Sequence, residues 1–286
     1  MMTAAETYAT LVDASNAQRV RLHGEEAPGA RWDCEAAQRF RYDPHRSLDA
    51  NLNIIASYVE PQDVLIDVGG GAGRVSLPLA LRCRQVINVD SSPGMLAEFE
   101  ACAAEAGITN ARSVLADWLA AADISGDVSL ASSVTYFVRD IVPFIEKMAA
   151  ASRRRVMLTL WSMPTANQNA PLLRLVYGEE QAPVPGHREL LPVLWEMGLL
   201  PDVRVLPDAP QVPGAPRQVG LPQTPQDAVH WALQGRWLRP DDQARARDLV
   251  EAHFHELFAQ RPEGFRPLWH QEARQLLITW ETGQRR

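Results

Sequence analysis

Cysteine is scarce in this chain. Its 286 residues include three, Cys34, Cys83 and Cys102, with no Cys-x-x-Cys pair. That spacing argues against a disulfide framework and a zinc knuckle, and it suits a reducing compartment. Long hydrophobic runs are missing too: no apolar stretch approaches the roughly 20 residues of a membrane-spanning helix. The first six residues lack the basic-then-apolar layout of a signal peptide. Basic charge is in deficit, with 28 Lys and Arg against 35 Asp and Glu, a net charge of −7. Such a balance disfavours a nucleic-acid backbone as partner. There is no internal repeat and no low-complexity tract. These absences lead to the expectation of a cytoplasmic protein with neither a membrane nor a nucleic acid as partner. What remains, 46% hydrophobic and 22% charged residues, is ordinary for a folded domain.

The order of periodic segments gives the organisation. Residues 1–60 read as a polar helical segment, with Leu48, Leu52, Ile55 and Val59 on one helical face. From residue 61 onward, short apolar runs alternate with helical patterns. The runs are Val64 to Val68, Gln85 to Asp90, Ser113 to Asp117, Val128 to Ala131 and Arg155 to Leu160. Helices are expected from Pro93 to Ala106, closed by Gly107, and from Ile141 to Ala151. Strands separated by helices of this length require crossover connections and a parallel sheet. Ten prolines between Pro183 and Pro225 then punctuate loops. Among them lie a helix from Arg188 to Met197 and a sixth strand from Val203 to Leu206. Thr224-Pro225-Gln226-Asp227 reads as a helix start. A further helix follows Pro240-Asp241, with Val250, Phe254, Leu257 and Phe258 on its apolar face. Gln275 to Trp280 reads as a last strand, antiparallel and at or near a sheet edge. The expected architecture is a doubly wound, mostly parallel seven-stranded α/β sheet. To it are added the N-terminal helices and an insertion at about 207–268 within a domain spanning 61–286.

The densest chemical signal is Asp67-Val68-Gly69-Gly70-Gly71-Ala72-Gly73 at the end of the first strand. Alternating glycines let the backbone turn sharply and approach a ligand where any Cβ would obstruct it. A helix starting near Arg74 would aim its free N–H groups at that ligand. The spacing is not that of a dinucleotide loop, because the third glycine of G-x-G-x-x-G would fall on Arg74. Asp67, two residues before the first glycine, would oppose a pyrophosphate but suits a ligand carrying an ammonium group. Asp90 ends the second strand, where a carboxylate can accept from both hydroxyls of a ribose. Asp117 and Trp118 offer an acceptor for an exocyclic amine and an indole to stack on a purine.

These residues together resemble the class I S-adenosylmethionine-dependent methyltransferases. Asp67 to Gly73 is similar to that family's first motif, Asp90 to its ribose acid and Ala116-Asp117-Trp118 to its adenine-side motif. Gly126 to Val138 resembles its fourth. The resemblance covers residues 60–162 well and the remainder loosely. It implies S-adenosylmethionine as cofactor, held by Asp67, Gly69, Gly70, Gly71, Gly73, Asp90, Ser91, Met95, Asp117, Trp118 and Ser132. The acceptor is expected to be a small molecule approaching near Ser133, Tyr136 and Trp161. Small-molecule members often carry His near the position of Ser133, so the base is open; Tyr136 or a histidine of the insertion are the candidates. His253 and His255, two apart on a helix, diverge and do not suggest a metal site, and His187 is expected to face water. The helices at 224–260 and the segment Arg31 to Tyr42 can either fold over the strand ends or serve elsewhere, for instance in a homodimer. Two other functions stay open: an NAD(P)-dependent oxidoreductase, and a silent nucleoside-binding scaffold. An RNA methyltransferase runs against the net charge.

Overall fold

The computed structural model describes residues 2–24, 37–207, 221–234, 237–269 and 272–283. In chain order the helices α1 (Ala4–His23) and α2 (Ala50–Ala56) lead into β1 (Val64–Val68), α3 (Ser76–Ala80) and β2 (Gln85–Asp90). Next come α4 (Pro93–Glu105), β3 (Ala111–Leu115), β4 (Gly126–Ser132), α5 (Ile141–Ala151) and β5 (Ser152–Trp161). Two short helices, α6 (Thr165–Gln168) and α7 (Ala170–Tyr177), precede α8 (His187–Glu196) and β6 (Asp202–Val205). The insertion supplies α9 (Pro225–Ala232), α10 (Gln243–Ala252), α11 (Phe254–Leu257), β7 (Phe258–Arg261) and β8 (Gly264–Pro267). The chain then returns as β9 (Gln275–Glu281).

Seven strands form one sheet in the order β3-β2-β1-β4-β5-β9-β6. The β1, β2, β3, β4 and β5 pairings are parallel, and β9 runs antiparallel to both β5 and β6. The last strand therefore lies one place in from the edge, and β6 is the edge. Strand β1 is buried along its whole length, as a strand covered by helices on both faces must be. One apolar cluster packs on each side of the sheet. Ile66, Val68, Phe144, Ile145 and Trp280 belong to the first, and Leu65, Phe99, Val128 and Leu277 to the second. A third cluster, with Val229, Leu238, Val250 and Phe258 joined by Leu172 and Val176 of α7, sits within the insertion.

Several expectations are adjusted. The third strand lies two residues earlier than the apolar run predicts, so Asp117 stands beyond its end. The glycine loop runs on to Ser76 before a helix forms, not to Arg74, and the helix spans five residues. The face expected from Leu48 to Val59 is helical over Ala50–Ala56, capped by the Asp49 side chain on the Leu52 N–H. Leu48 and Val59 still pack with the second cluster. Within the insertion, Phe258 opens a two-stranded hairpin instead of continuing the helix. His187 is the first residue of α8 and partly buried, not a loop residue in water. Cys34, Arg31, Trp32 and Asp33 lie outside the described residues. Among the described residues no helix is long and apolar enough to cross a membrane, and no His, Cys, Asp and Glu cluster is placed to hold a metal.

Candidate active site

At the carboxyl ends of β1, β2, β4 and β5 a cleft of about 1310 Å³ opens, the position where ligands enter doubly wound sheets. The glycine loop forms its floor. Gly69, Gly71 and Gly73 take φ of 66°, 55° and 78°, a left-handed region that side chains resist. The loop is held from below: Asn88 Nδ2 donates to the Gly71 carbonyl at 2.8 Å, and the Gly71 N–H donates to Asp90 Oδ2 at 2.9 Å. A Cβ on Gly70 would stand 2.3 Å from Asp67 Oδ2, and one on Gly73 would stand 2.6 Å from Leu77 and Phe99. A Cβ on Gly71 would meet only Met95 Sδ, at 3.4 Å. Gly70 and Gly73 are thus packing glycines, and Gly71 is the one that keeps space open for a ligand. Gly73 alone among the predicted site residues does not border the cleft.

Asp67 is 1% exposed and its carboxylate oxygens find no hydrogen-bond partner among the described residues. Burial pushes its pKa up to about 6, with the nearby Ser76 hydroxyl and the Arg74 charge opposing and Asp90 adding to the rise. The carboxylate therefore acts from beneath Gly70, through the loop, and not by an open contact. Asp90 is also raised by burial, against the N–H groups of Ser92, Gly71 and Ser91 that favour its charge. Ser92, not Asp90, caps α4, its Oγ accepting from the Met95 N–H at 3.1 Å. Ser91 is exposed at the rim and Met95 is buried beside the loop.

Asp117 is exposed, with Oδ1 accepting from the Leu119 N–H at 2.8 Å. Trp118 behaves more as core than as a stacking platform. It is 5% exposed, donates from Nε1 to the Phe144 carbonyl at 3.2 Å and meets the Phe144 ring edge-on. Opposite the loop, Thr159 Oγ1 donates to Ser132 Oγ at 2.8 Å, and Ser133 is held left-handed at φ 61°. A non-glycine residue so placed stores strain of the kind that gathers at functional sites. The Tyr136 hydroxyl accepts from the Trp161 N–H at 2.5 Å, and burial drives its pKa above the ordinary phenol value. That hydroxyl is a fixed structural partner, which removes Tyr136 as a general base. None of His230, His253 and His255 borders the cleft, which removes these insertion histidines as well; His270 lies outside the described residues.

Sequence reasoning passed over two contributors. Arg74 enters it only as the residue that breaks a dinucleotide pattern. In the structure Arg74 lines the cleft beside the loop, with its guanidinium carbon 5.9 Å from the Tyr42 ring centroid and no hydrogen bond or ion pair among the described residues. Burial lowers its pKa, with Tyr42, Asp49 and Asp67 opposing and Arg46 adding to the fall, as expected of a cation withdrawn from water. Helix α1 was legible from its Thr3-x-x-Glu6 capping box, but its docking was not. Tyr8 donates to the Thr135 carbonyl at 2.6 Å, and that anchor places Gln18 and His23 along the cleft. The insertion, whose helices the sequence leaves free to fold over the strand ends or serve elsewhere, reaches the cleft through Trp231, Trp237 and Trp269.

A cradle opened by glycine, an acid at the end of β2 and a cation beside the loop with no direct ion pair among the described residues together fit a nucleoside bearing an α-amino-acid tail. Residues 66–158 match the family described as the methyltransferase domain. Residues 66–158 are thus a methyltransferase domain. The protein is an enzyme of that type, and its cofactor is S-adenosylmethionine. The solved structures agree on the fold. The YcgJ protein of Bacillus subtilis superposes at a TM-score of 0.52 with 14% identity, covering 81% of this chain and 97% of its own. A methyltransferase candidate from Bacillus halodurans C-125 gives 0.51 with 12% identity, over 82% of this chain and 97% of its own. The [4+2]-cyclase SpnF gives 0.50 with 14% identity, over 98% and 96%. No curated protein matches the methyltransferase chain in sequence.

Proposed function

We propose that the enzyme transfers the methyl group to a small-molecule acceptor bound in the same cleft as the cofactor. The observation that carries this reading is the continuity of the cavity. One space of about 1310 Å³ joins the glycine loop to the tryptophans of the insertion. Small-molecule sites usually occupy about 300–1000 Å³, so this one has room for two ligands. S-adenosylmethionine, when bound, supplies a methyl carbon whose bond to sulfur breaks, the electron pair returning to sulfur, as the bond to the acceptor atom forms.

The chain's own residues bind and orient, which is most of what such a displacement asks of a protein. Gly71 lets the amino-acid tail lie against the loop. Asp67 favours the tail's ammonium from beneath the loop, and Arg74 takes its carboxylate. Asp90 offers the ribose hydroxyls the lone pairs that Gly71 and Ser92 leave free, and Asp117 accepts from the adenine amine. Ser132, Ser133 and Trp161 border the region that the acceptor enters. A proton from an O–H or N–H acceptor leaves to water at the open mouth.

Calorimetric titration with S-adenosylhomocysteine, beside NAD and NADP, tests the cofactor half: micromolar binding of the thioether alone is expected. Tritiated-methyl transfer offered to a low-molecular-weight extract, to RNA and to protein tests the acceptor half. Label is expected in the small molecules, and label in RNA sinks the reading. Two substitutions test individual roles. Arg74→Met is expected to weaken S-adenosylhomocysteine about tenfold, the value of a charge-assisted hydrogen bond. It should leave 5′-methylthioadenosine, which has no amino-acid tail, unaffected; equal losses for both would place Arg74 elsewhere. Asp90→Ala, checked for folding by circular dichroism, is expected to cost both ligands about 1.5–3 kcal/mol. Undiminished binding of 5′-methylthioadenosine there would refute the ribose contact.

A further inference from the structure

Resting on the reading of the cleft as a cofactor and acceptor site, we infer that the acceptor is an uncharged, largely apolar molecule with a planar ring system. It is seated against the tryptophans that the insertion brings to the cleft.

Trp231, Trp237 and Trp269 are partly buried against the third apolar cluster, and all three also border the cleft. Each indole thus both packs on the fold and borders the cleft. Trp231 and Trp269 stand 5.9 Å apart between ring centroids. Trp237 is held in place by its own Nε1, which donates to the Gln234 carbonyl at 3.1 Å. Across the cleft Phe137 adds an aromatic ring that is 40% exposed. Such surfaces recognise flat apolar bodies through burial and ring packing.

The charge on this side of the cleft points the same way. Arg139, which lines it, is committed to Asp13 at 3.0 Å and Asp140 at 2.9 Å. The described residues of 164–184 and 231–269 that border the cleft are all uncharged, Gln168, Asn169, Gln234 and Gln243 among them; the charged Arg19, His23, Arg139 and Asp140 come from α1 and from the segment after β4. An ionic acceptor placed there would lose its hydration without gaining a counter-ion, a cost that selects against it. A neutral acceptor loses little and keeps hydrogen-bonding choices. Trp269 Nε1 is in addition a buried donor with no partner among the described residues. An oxygen on the bound molecule would satisfy it.

The test uses one ring system with three charges: 2-naphthol, 2-naphthoate and 2-naphthylmethylammonium. Each is titrated into the full-length protein saturated with S-adenosylhomocysteine. 2-Naphthol is expected to bind at least about tenfold more tightly than either ion. Trp237→Ala and Trp231→Ala are each expected to weaken 2-naphthol several-fold with S-adenosylhomocysteine affinity unchanged, and Trp237→Phe to recover most of the loss. Tighter binding of either ion, or 2-naphthol affinity indifferent to all three variants, overturns the inference. So does absence of naphthol binding in a protein that binds S-adenosylhomocysteine. Failure of S-adenosylhomocysteine itself would instead refute the cofactor reading, and it is read in a separate titration.

Discussion

Gly71→Val is expected to leave the sheet folded and to weaken S-adenosylhomocysteine binding by at least about 100-fold in calorimetric titration. Two causes act together. The Cβ at this position meets nothing in the protein closer than Met95 Sδ at 3.4 Å, so the branched side chain projects into the space the cofactor needs. The backbone there is left-handed, at φ 55°, which costs an L-residue about 1–2 kcal/mol and strains the loop that Asn88 and Asp90 hold. Gly107→Val separates the two causes. Gly107 has φ 67° and nothing within 4 Å of its would-be Cβ, and it lies just past α4, away from the cleft. That variant carries the same strain and should bind the cofactor as the parent does. Equal affinity in the Gly71 variant would move the cofactor out of the loop.

Asp67→Asn is expected to do two opposite things: to stabilise the free protein above neutral pH and to weaken the cofactor. The folded-state pKa of Asp67 is about 6, above its ordinary 3.8, because burial disfavours its charge. A group raised in this way contributes its stability at pH below about 4, where both states are protonated, and loses it as pH climbs through about 6. The loss is about 3 kcal/mol, from roughly two units at 1.36 kcal/mol each. An amide keeps the shape without the charge. It can also donate to Asn88 Oδ1, a buried acceptor without a partner that crowds the same point beside Gly70. The difference in unfolding free energy between variant and parent should therefore grow between pH 4 and 7 and then level off. A parent that is the more stable of the two at pH 8 would contradict the burial argument. Removing the charge also removes attraction to the ammonium across the loop, for which about a tenfold loss of affinity is expected. In the parent, affinity for S-adenosylhomocysteine should rise as pH passes 6, and in the variant this rise should vanish.

What could be read from the sequence divides along a physical line. Strands β1, β2, β4 and β5 are buried on both faces, so their residues form short unbroken apolar runs visible without any partner. The glycine loop and the carboxylates Asp67 and Asp90 are similarly legible, because the chemistry lies within a few residues. Asp117 was found, but its strand was placed two residues late, since Ala116 continues the apolar run past the end of β3 and its N–H still donates to the Asp90 carbonyl at 3.1 Å. Trp118 shows the limit of local reading: its indole is satisfied by the carbonyl of Phe144, far along the chain. Arg74 was visible only as a missing glycine, because its place beside the cleft is set by the fold around it. On the acceptor side the sequence offered Ser133, Tyr136, Trp161 and the helices at 224–260 but not how they come together. Phe137, Trp231 and Trp269 come from separate elements, and the hairpin of β7 and β8 that carries the chain to Trp269 has too short a pattern to stand out.

The excursion between β6 and β9 has a geometric property of its own. Its two ends meet, because the Leu206 N–H donates to the Gln275 carbonyl at 2.8 Å. The described residues between them carry an apolar cluster that takes in Leu172 and Val176 of α7, and Arg245 Nη2 donates to the Val176 carbonyl at 2.6 Å. The entropy of closing such a loop grows only with the logarithm of its length. Closure therefore sets little limit on the length of the excursion. What fixes its position is the packing on α7, the helix that follows β5, through Leu172 and Val176. A chain that exchanges this excursion for another must therefore keep, or replace in step, the face of α7 on which it rests.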